Sequence, residues 1–253
     1  MRFGYSIAGM PHITATIITL NEEGRIAEAI ASLPCCDEVL VVDSGSSDRT
    51  CDIAARMGAR VLVHPWQGYS RQKNFAAEQA ANDWILSIDA DERISAELAA
   101  EIAQWKRNEP QTAGMSMPRC AFYLGKWIRH SGWYPDRKVR LYHRNSARWK
   151  GDSVHEAMAV DGKVGRFGND LLHFPYRSFA DHRQRIDRYT RLAARSAKDS
   201  RRGGNPLKLL GGPPLTFLKS LFLQAGFLDG WRGLVIAYMA ARYVFLREFR
   251  ILR

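Results

Sequence analysis

The stretch Trp84-Ile85-Leu86-Ser87-Ile88-Asp89-Ala90-Asp91-Glu92 decides the fold, because a nearly apolar run ends directly in a group of carboxylates. Strands that are buried on both faces of a parallel sheet have such continuous apolar runs. On extended backbone Asp89 and Asp91 point the same way, so they can share Mg²⁺ or Mn²⁺ with the phosphate oxygens of a substrate. Taken alone, the pattern more often marks an acidic turn after a strand.

Upstream of this stretch, three more apolar runs alternate with segments of helical periodicity. This alternation is typical of βαβ units, so we predict a mostly parallel central sheet. The predicted strands cover 13–19, 38–43, 60–64 and 84–89. The predicted helices cover 22–32, 49–57 and 70–81, and a fourth begins at Ser95. We expect Asn21 and Asp48 to be N-caps and Gly58 to end the second helix in a left-handed turn.

Polar residues follow three of these strands where they end. Thr19, Asn21 and Glu22 follow the first strand, and an Asp-Ser-Gly-Ser-Ser-Asp loop at 43–48 follows the second. Because ligands bind outside the carboxyl ends of the strands in open α/β sheets, we expect these residues and 89–92 to form one binding edge. The loop from Asp43 fits either hydrogen bonding to a nucleoside or a plain strand-to-helix turn.

The remainder of the chain has a different character. Short strands rich in aromatic residues, Gly and Arg between 114 and 174 predict an antiparallel extension. A helix over 178–198 has an apolar stripe that includes Phe179 and Ile186, and a basic flank. The four glycines and three prolines of 201–214 predict a linker. Apolar helix-length segments punctuated by Lys and Arg fill 215–253.

Charge divides the 253 residues unevenly. The chain carries a net charge of +11, yet residues 1–118 hold 10 basic and 16 acidic side chains, and the remainder holds 27 and 10. The basic half predicts an acidic partner. The four cysteines lack zinc-site spacing and are interpreted as reduced thiols. The absence of a signal-like N-terminus and of a roughly 20-residue apolar span predicts a cytoplasmic protein without a transmembrane helix.

Several motifs together make a specific resemblance. Thr19-Leu20-Asn21-Glu22-Glu23, the segment 41–50 and the segment 84–92 have the order and spacing of a family 2 glycosyltransferase of GT-A fold. The similarity continues through Gly132-Trp133-Tyr134-Pro135-Asp136, Arg140-Leu141-Tyr142 and Val154-His155-Glu156. It therefore covers most of the chain, and it resembles the bacterial lipopolysaccharide core β-glucosyltransferase subgroup.

The resemblance implies roles for these residues. It implies that Asn21, Glu22 and Asp43 hold the nucleoside, together with the neighbouring Thr19 and Gly45. It implies that Asp89 and Asp91 bind the metal and the diphosphate. It also implies that the basic-Asn element of Arg71, Lys73 and Asn74 places positive charge near the donor. A solvated helix face is the alternative for that element.

An inverting transfer needs a carboxylate that takes the proton of the acceptor hydroxyl. Glu156 is the candidate base because it matches the family's His-Glu motif, and Asp152 is its rival. A surface salt bridge is the alternative for Glu156. Candidate acceptor contacts are the aromatic rings of Trp133 and Tyr134, the phosphate-matching guanidinium groups of Arg137 and Arg140, and His155.

These observations predict an enzyme with three parts: a nucleotide-sugar half (1–118), an acceptor and base half (119–177) and a basic amphipathic helical region (178–253). The resemblance implies transfer of a hexose, as from UDP-glucose, to a lipid-linked glycan such as the lipopolysaccharide inner core. Another UDP-sugar with a capsular or polyprenyl-linked acceptor is the alternative. A basic nucleic-acid-binding or inactive scaffold protein is the non-enzyme alternative, although we expect no nucleic acid.

The predicted location is the cytosolic face of the inner membrane. Arg-rich amphipathic helices lie in the interface of an anionic membrane without crossing it. The predicted apolar anchors are Phe217, Phe222, Phe227, Trp231 and Tyr243. Packing on the catalytic domain or a homodimer seam is the alternative for these helices.

Overall fold

The computed structural model describes residues 10–108, 110–151, 156–199 and 203–253. Asp152 and His155 lie outside the described residues. The chain forms two compact units. The first unit contains the described residues up to Arg119 together with Arg137–His173, and the second contains Cys120–Asp136 and Phe174–Arg253. The three functional parts predicted above remain predictions.

Twelve strands are present in the described residues. They are β1 (Ile13–Thr19), β2 (Glu38–Asp43), β3 (Arg60–Val63), β4 (Trp84–Asp89), β5 (Glu92–Ile94), β6 (Gly114–Tyr123), β7 (Lys126–Ile128), β8 (Asp136–His143), β9 (Ala147–Lys150), β10 (Ala157–Val160), β11 (Val164–Arg166) and β12 (Leu171–His173). The four strands predicted from the apolar runs are confirmed, and three of them have the predicted bounds.

The sheet of the first unit has the order β3-β2-β1-β4-β8-β6-β12-β5. The first four strands are parallel, as the alternation with helices predicted. β8 then pairs antiparallel with β4, and β12 pairs antiparallel with β5. β9 and β10 form a separate antiparallel pair. The antiparallel extension is therefore confirmed, although β11 pairs in parallel with β6.

Four helices cover the sheet of the first unit: α1 (Ile26–Ala31), α2 (Thr50–Arg56), α3 (Tyr69–Gln79) and α4 (Ala96–Trp105). Ser95 caps α4, because its side chain accepts a hydrogen bond from the Leu98 amide. Asn21 does not cap α1. It has φ of 55°, and its side chain accepts from the Ser47 amide, so it joins the loop after β2 and α1 starts later than predicted.

The core lies on both faces of the parallel strands. On one face Ile17 and Leu86 pack with Ile26 of α1 and Leu98 of α4. On the other face residues of β1 and β2 pack with Ala76 of α3. Burial on two faces explains why the strands are continuously apolar, and it leaves their ends as the places for polar groups.

The second unit is mainly helical. It contains α5 (Phe179–Asp199), α6 (Pro206–Leu218) and α7 (Trp231–Leu252), with a π-helical turn at Lys219–Leu223 and a 3-10 turn at Gly226–Asp229 between the last two helices. The linker prediction is wrong from Pro206 onward. Asn205 caps α6 with its side chain, and α6 packs along α7, which holds it helical despite Pro213 and Pro214.

The buried side of α5 also differs from the predicted stripe. His182, Ile186, Thr190 and Ala194 recur every fourth residue and are buried, whereas Phe179 is exposed. His182 packs on Tyr176 and hydrogen bonds with the Tyr123 hydroxyl at 2.7 Å. Burial lowers the pKa of His182 to about 4. Within the described residues, no helix combines the length and the apolar character needed to cross a membrane.

Gly233 provides a test of the packing between α7 and the 3-10 turn. A Cβ on Gly233 would lie 1.7 Å from the backbone oxygen of Gly226, so Gly233→Ala forces the backbone apart. We expect a loss of about 1–3 kcal/mol in thermal or urea unfolding. Gly211→Ala is the control, because Gly211 is helical and has open space around it. A gain of about 0.5–1 kcal/mol is expected there. Equal effects of the two substitutions would contradict this packing.

Candidate functional site

The carboxyl ends of the parallel strands meet as predicted. Thr19 at the end of β1 is paired in register with Asp43 of β2, and Ile18 is paired with Asp89 of β4. The polar segments after these strands therefore share one edge of the sheet. This edge is the place where ligands bind in open α/β folds.

Asp43 organises the loop that follows β2. Its Oδ1 accepts hydrogen bonds from the amides of Gly45 (2.8 Å) and Ser46 (2.7 Å), and its Oδ2 accepts from the Ser46 hydroxyl. The Ser46 hydroxyl oxygen accepts in turn from the Asn21 amide. Gly45 has φ of 96°, a conformation that suits glycine. Asp43 is only 1% exposed, so its buried carboxylate fixes the conformation of the loop through these hydrogen bonds.

The residues after β1 are tied to this loop. The Glu22 amide donates to the Thr50 hydroxyl at 2.9 Å, and the side chain of Asn21 is exposed at the edge. The Thr19 hydroxyl oxygen is buried and has no hydrogen-bond partner among the residues the structure describes. The loops after β1 and β2 thus form one hydrogen-bonded rim.

Lys73 of α3 brings two distant carboxylates together. Its Nζ lies 2.9 Å from Oδ1 of Asp89 and 2.7 Å from Oε1 of Glu156, a residue 83 positions away. Its side chain is 1% exposed and lies over the ring of Trp149 at 4.4 Å. A buried ammonium needs such partners, because charge removed from water is costly unless it is paired. The alternative interpretation, that Lys73 belongs to a solvated helix face, is therefore wrong.

Glu156 lies just before β10. One carboxylate oxygen binds Lys73, while Oε2 is buried and has no hydrogen-bond partner within the described part of the chain. The alternative of a surface salt bridge for Glu156 is wrong, because the cation that pairs with Glu156 is the buried ammonium group of Lys73. An oxygen with free lone pairs beside Asp89 is suited to accept a proton.

Arg140 holds the other side of Asp89. One guanidinium nitrogen lies 2.7 Å from Oδ2 of Asp89 and 2.6 Å from Oε1 of Glu92. Arg119 approaches the same oxygen of Glu92 at 3.1 Å. Arg140 is 3% exposed. The predicted acceptor contact of Arg140 stays a prediction, and its observed partners are two carboxylates that sequence analysis did not connect to it.

The charges around Asp89 fix its ionisation. Burial by itself raises the pKa of this carboxyl, but the charges of Arg140 and Lys73 outweigh burial and hold the pKa well below its usual range. For Arg140, burial opposes the charged form, and the charges of Asp89 and Glu92 reverse that effect and raise its pKa. Asp89 is therefore a carboxylate at any physiological pH.

Asp91 and His173 form a second pair that sequence analysis missed. Nε2 of His173, the last residue of β12, lies 3.6 Å from Oδ2 of Asp91, and Arg25 lies 3.9 Å from the same oxygen. Two ligands bonded at about 2.1 Å to one ion lie roughly 3–4 Å apart, and Mn²⁺ accepts both carboxylate and imidazole. These two residues therefore fit a divalent cation. No group of three or more such ligands occurs among the described residues.

The other predicted residues have varied positions. Asn74 hydrogen bonds with both backbone groups of Trp149, while Arg71 is exposed. Arg137 donates to the backbone oxygen of Phe167 at 3.0 Å.

The predicted aromatic contacts, Trp133 and Tyr134, belong to the second unit. Trp133 packs against Tyr123 and Tyr176, and Tyr134 lies under the guanidinium group of Arg129. Their roles as acceptor contacts stay predictions.

Comparison with known proteins identifies the family. The model of the family described as "Glycosyl transferase family 2" matches residues 14–161, which include the rim, the acidic segment and Glu156. The chain belongs to glycosyltransferase family 2. The predicted enzyme class is thereby confirmed, and neither the nucleic-acid-binding nor the scaffold alternative is needed to explain the chain.

Relatives of this glycosyltransferase match nearly all of its length. It is 31% identical over 251 residues to the lipopolysaccharide core biosynthesis glycosyltransferase LpsC of Rhizobium meliloti, with 93% of each chain covered. It is 34% identical over 258 residues to an uncharacterised glycosyltransferase of Rickettsia typhi, with 95% of this chain and 87% of the relative covered.

A solved structure supports the fold. The mannosyltransferase PcManGT of Pyrobaculum calidifontis, determined in complex with GDP-Man and Mn²⁺, aligns with a TM-score of 0.54 and 16% identity. The alignment covers 99% of this glycosyltransferase and 91% of that chain. The predicted GT-A fold is confirmed.

Replacement of Arg140 tests the buried charge network. Arg140→Gln leaves Asp89 and Glu92 with fewer cations, so we expect a loss of about 3–5 kcal/mol in unfolding experiments at pH 7. Asp89, whose pKa is depressed, contributes stability above the unfolded-state pKa of about 4 and loses it as pH falls through the folded-state value. In the variant Asp89 keeps Lys73 and Glu92 keeps Arg119, but each buried carboxylate has lost one cation, so protonation costs its folded state less. The difference in Tm between wild type and variant should therefore narrow from pH 7 to pH 4.

Arg148→Gln is the matched control for this experiment. Arg148 pairs with Glu78 at 3.2 Å, but both side chains are exposed, so the change should cost less than about 1 kcal/mol at every pH. A difference between wild type and Arg140→Gln that stays constant from pH 7 to pH 4 would show that the network does not act through charge.

Proposed function

We propose that this family 2 glycosyltransferase moves a hexose, with inversion at the anomeric carbon, from a UDP-sugar to a lipid-linked glycan acceptor of the lipopolysaccharide core type. The observation that carries the proposal is the pair of hydrogen bonds from Lys73 to Asp89 and Glu156. They put a carboxylate from the donor edge and a carboxylate suited to be a base around one ammonium group.

In this proposal the rim binds the nucleoside and the acidic segment binds the diphosphate. Asp43 acts by holding the loop around Gly45 and Ser46, and the exposed Asn21 offers its side chain. Thr19 and Glu22 complete the rim, and Arg71 and Asn74 flank Lys73 on α3. Glucose from UDP-glucose is the donor that the motif resemblance favours, and other UDP-hexoses serve as the test panel.

Glu156 is proposed as the general base. Its free Oε2 takes the proton of the acceptor hydroxyl while that oxygen attacks the anomeric carbon. The bond from the anomeric carbon to the diphosphate oxygen breaks on the opposite face, and the electron pair leaves with the UDP. Lys73 keeps Glu156 oriented before the transfer, because its ammonium is bound to the other carboxylate oxygen.

Asp91 and His173 are proposed to hold Mn²⁺ or Mg²⁺. A bound divalent ion neutralises the charge of the leaving diphosphate. Arg25, which lies near Asp91, balances the carboxylate charge on the same side. Asp89 is already bound by two cationic side chains, so its proposed part in metal binding is weaker than that of Asp91.

The acceptor class rests on similarity and on surface character. LpsC, which is 31% identical, is named for lipopolysaccharide core biosynthesis. Such an acceptor is carried by a lipid, so the enzyme must meet a membrane. We therefore place it at the cytosolic face of the inner membrane, held there by the second unit.

The apolar surface of the second unit supports this location. Large side chains on the segments from α6 to α7 are exposed, with Leu223 at 84% and Leu207 at 81%. Phe222, Phe227 and Trp231 of the predicted anchors are exposed as well, while Phe217 and Tyr243 are half-buried. Lys208 and Lys219 lie among them. Apolar side chains next to basic ones are typical of helices that lie in an anionic membrane interface.

Kinetics of two variants test the chemistry. Glu156→Gln should lower kcat by about 10²–10⁴ and leave the affinity for UDP within a few fold, because it removes the base and keeps the donor edge. Asp91→Asn should lower kcat and also abolish the Mn²⁺-dependent thermal stabilisation by UDP. The measurements are transfer from a panel of UDP-hexoses to delipidated inner-core saccharide, and thermal shift with UDP and Mn²⁺.

Glu78→Gln is the control, because Glu78 is exposed on α3 and pairs only with Arg148 among the described residues. It should leave both readouts unchanged. Full activity of Glu156→Gln together with loss in Asp152→Asn would move the base to Asp152. Unchanged metal dependence in Asp91→Asn would overturn the metal assignment, and transfer only to capsular or polyprenyl-linked saccharides would overturn the acceptor class.

Vesicle sedimentation tests the membrane surface. Replacing both Phe222 and Leu223 with Ser should weaken binding to phosphatidylglycerol-containing vesicles at least tenfold, because each buried large apolar side chain is worth about 1.5–3 kcal/mol. Val63→Ser is the control, since Val63 is 71% exposed on β3 of the first unit. Equal binding of the double variant and wild type would place the membrane contact elsewhere.

A further inference from the structure

The second unit contains a cavity that the proposed transfer reaction does not use. It has a volume of about 470 Å³ and lies along α5 and α7. Most of its lining comes from one face of α5, where Arg183, Asp187 and Arg191 follow one another at intervals of one turn. Gln184 and Arg188 of α5 and Arg242 of α7 complete the lining.

The lining carries an excess of positive charge. It has four arginines and one carboxylate, and that carboxylate is already shared. Asp187 binds Arg191 at 2.7 Å through one oxygen and Arg250 through the other. The hydrogen bond from Arg250 lowers the pKa of Asp187, so Asp187 stays ionised. Its negative charge is already paired with Arg191 and Arg250 and does not compensate the other arginines of the lining.

The remaining arginines are left without a counter-charge. Arg183, Arg188 and Arg242 form no ion pair with any carboxylate in the described ranges. The Nε of Arg242 is buried and has no hydrogen-bond partner among the same residues. Buried donors are normally satisfied, and guanidinium groups gathered in one cavity repel each other. The cavity is therefore short of an acceptor with negative charge.

The geometry points to a phosphoryl-group binding site in this α5–α7 cavity. Guanidinium groups match phosphate oxygens in pairs of parallel hydrogen bonds, which makes arginine the residue of choice for phosphate. Several arginines around one cavity suit a phosphate monoester or diphosphate better than a single carboxylate. The phosphoryl group is carried either by a lipid headgroup or by a soluble phosphate compound.

The surface beside Arg242 favours the lipid-borne form. Tyr238, Phe245 and Phe249 lie at positions −4, +3 and +7 from Arg242 and so share its face of α7. These side chains are 51%, 44% and 42% exposed. A headgroup phosphate at Arg242 would leave acyl chains beside these aromatic rings. This site is separate from the apolar segment around Leu223, and it adds headgroup selectivity to the proposed membrane contact.

A charge-matched pair of double variants tests the site in the full chain. Arg183→Gln with Arg188→Gln removes two cavity arginines that are exposed and form no ion pair in the described structure. Lys126→Gln with Arg195→Gln removes the same charge from exposed positions of the second unit outside the cavity lining. Arg242→Gln is a third variant. The probes are pyrophosphate in calorimetry, and phosphatidylcholine vesicles with and without phosphatidic acid in sedimentation.

We expect the cavity variants to bind phosphatidic acid vesicles at least tenfold more weakly than wild type, and the control variant to change less than twofold. Binding to pure phosphatidylcholine should be equal in all variants. A tenfold loss of pyrophosphate binding without any loss of binding to phosphatidic acid vesicles would assign the site to soluble phosphate compounds. Equal losses in cavity and control variants, or no phosphate-dependent binding by wild type, would overturn the site.

The thermal shift with UDP and Mn²⁺ is measured in parallel for every variant. Because the cavity residues belong to the second unit and the donor edge belongs to the first, this shift should be the same in all of them. Loss of phosphatidic acid binding with an intact UDP response supports the phosphoryl-group site in the cavity. This conclusion does not depend on which saccharide proves to be the acceptor in the transfer assay. If Arg183→Gln with Arg188→Gln loses both phosphatidic acid binding and the UDP response, and Arg242→Gln does not, the double variant has a folding defect. The phosphatidic acid binding of Arg242→Gln then decides whether the cavity is the site.

Discussion

The ammonium group of Lys73 is the constraint on which the candidate site at the strand ends depends. It is buried, it stands over the ring of Trp149, and it binds one oxygen each of Asp89 and Glu156. Without this cation two carboxylates would face each other in a poorly solvated place, at a high cost in free energy. With it, a strand residue, Asp89, and the residue just before β10, Glu156, are both held within hydrogen-bond reach of one nitrogen on a helix.

The charges around this ammonium divide the acidic residues into two kinds. Asp89 and Glu92 are neutralised by Arg140 and, for Glu92, by Arg119 as well, so they form part of the rigid frame. Among the described residues Asp91 has only the more distant Arg25 and His173 as partners, so it is better placed than Asp89 to exchange them for a cation. This frame of paired charges leaves Asp91 and His173 without a close cationic partner among the described residues, and leaves Oε2 of Glu156 without a hydrogen-bond partner there.

The carboxyl ends of the parallel strands and the helices of the second unit concentrate side chains of opposite charge. The strand ends concentrate carboxylates that Arg140 and the buried Lys73 compensate, whereas the second unit concentrates arginines, several of which have no acidic partner in the described structure. These two concentrations of charge match the two ligands proposed above, a metal-bound diphosphate at the strand ends and a phosphoryl group between α5 and α7.

Local sequence determined the parallel strands, the polar rim and the family. The apolar runs 13–19, 38–43 and 84–89 became strands with those bounds, because burial on both faces requires continuous apolar sequence. The cap of α4 and the turn at Gly58 were equally predictable from short-range hydrogen bonding and backbone conformation. Helicity through Pro213 and Pro214 was not, since it depends on packing against α7.

The sequence by itself also determined which side chains could carry the chemistry, because strand ends and the His-Glu motif mark them. Only the tertiary structure decided their partners: Lys73 with Glu156, Arg140 with Asp89, and His173 with Asp91. These pairs join residues far apart along the chain, and no local pattern encodes the distance between them. Electrostatic interaction depends on separation and burial in space, and these arise only when the strands, helices and hairpin pack together.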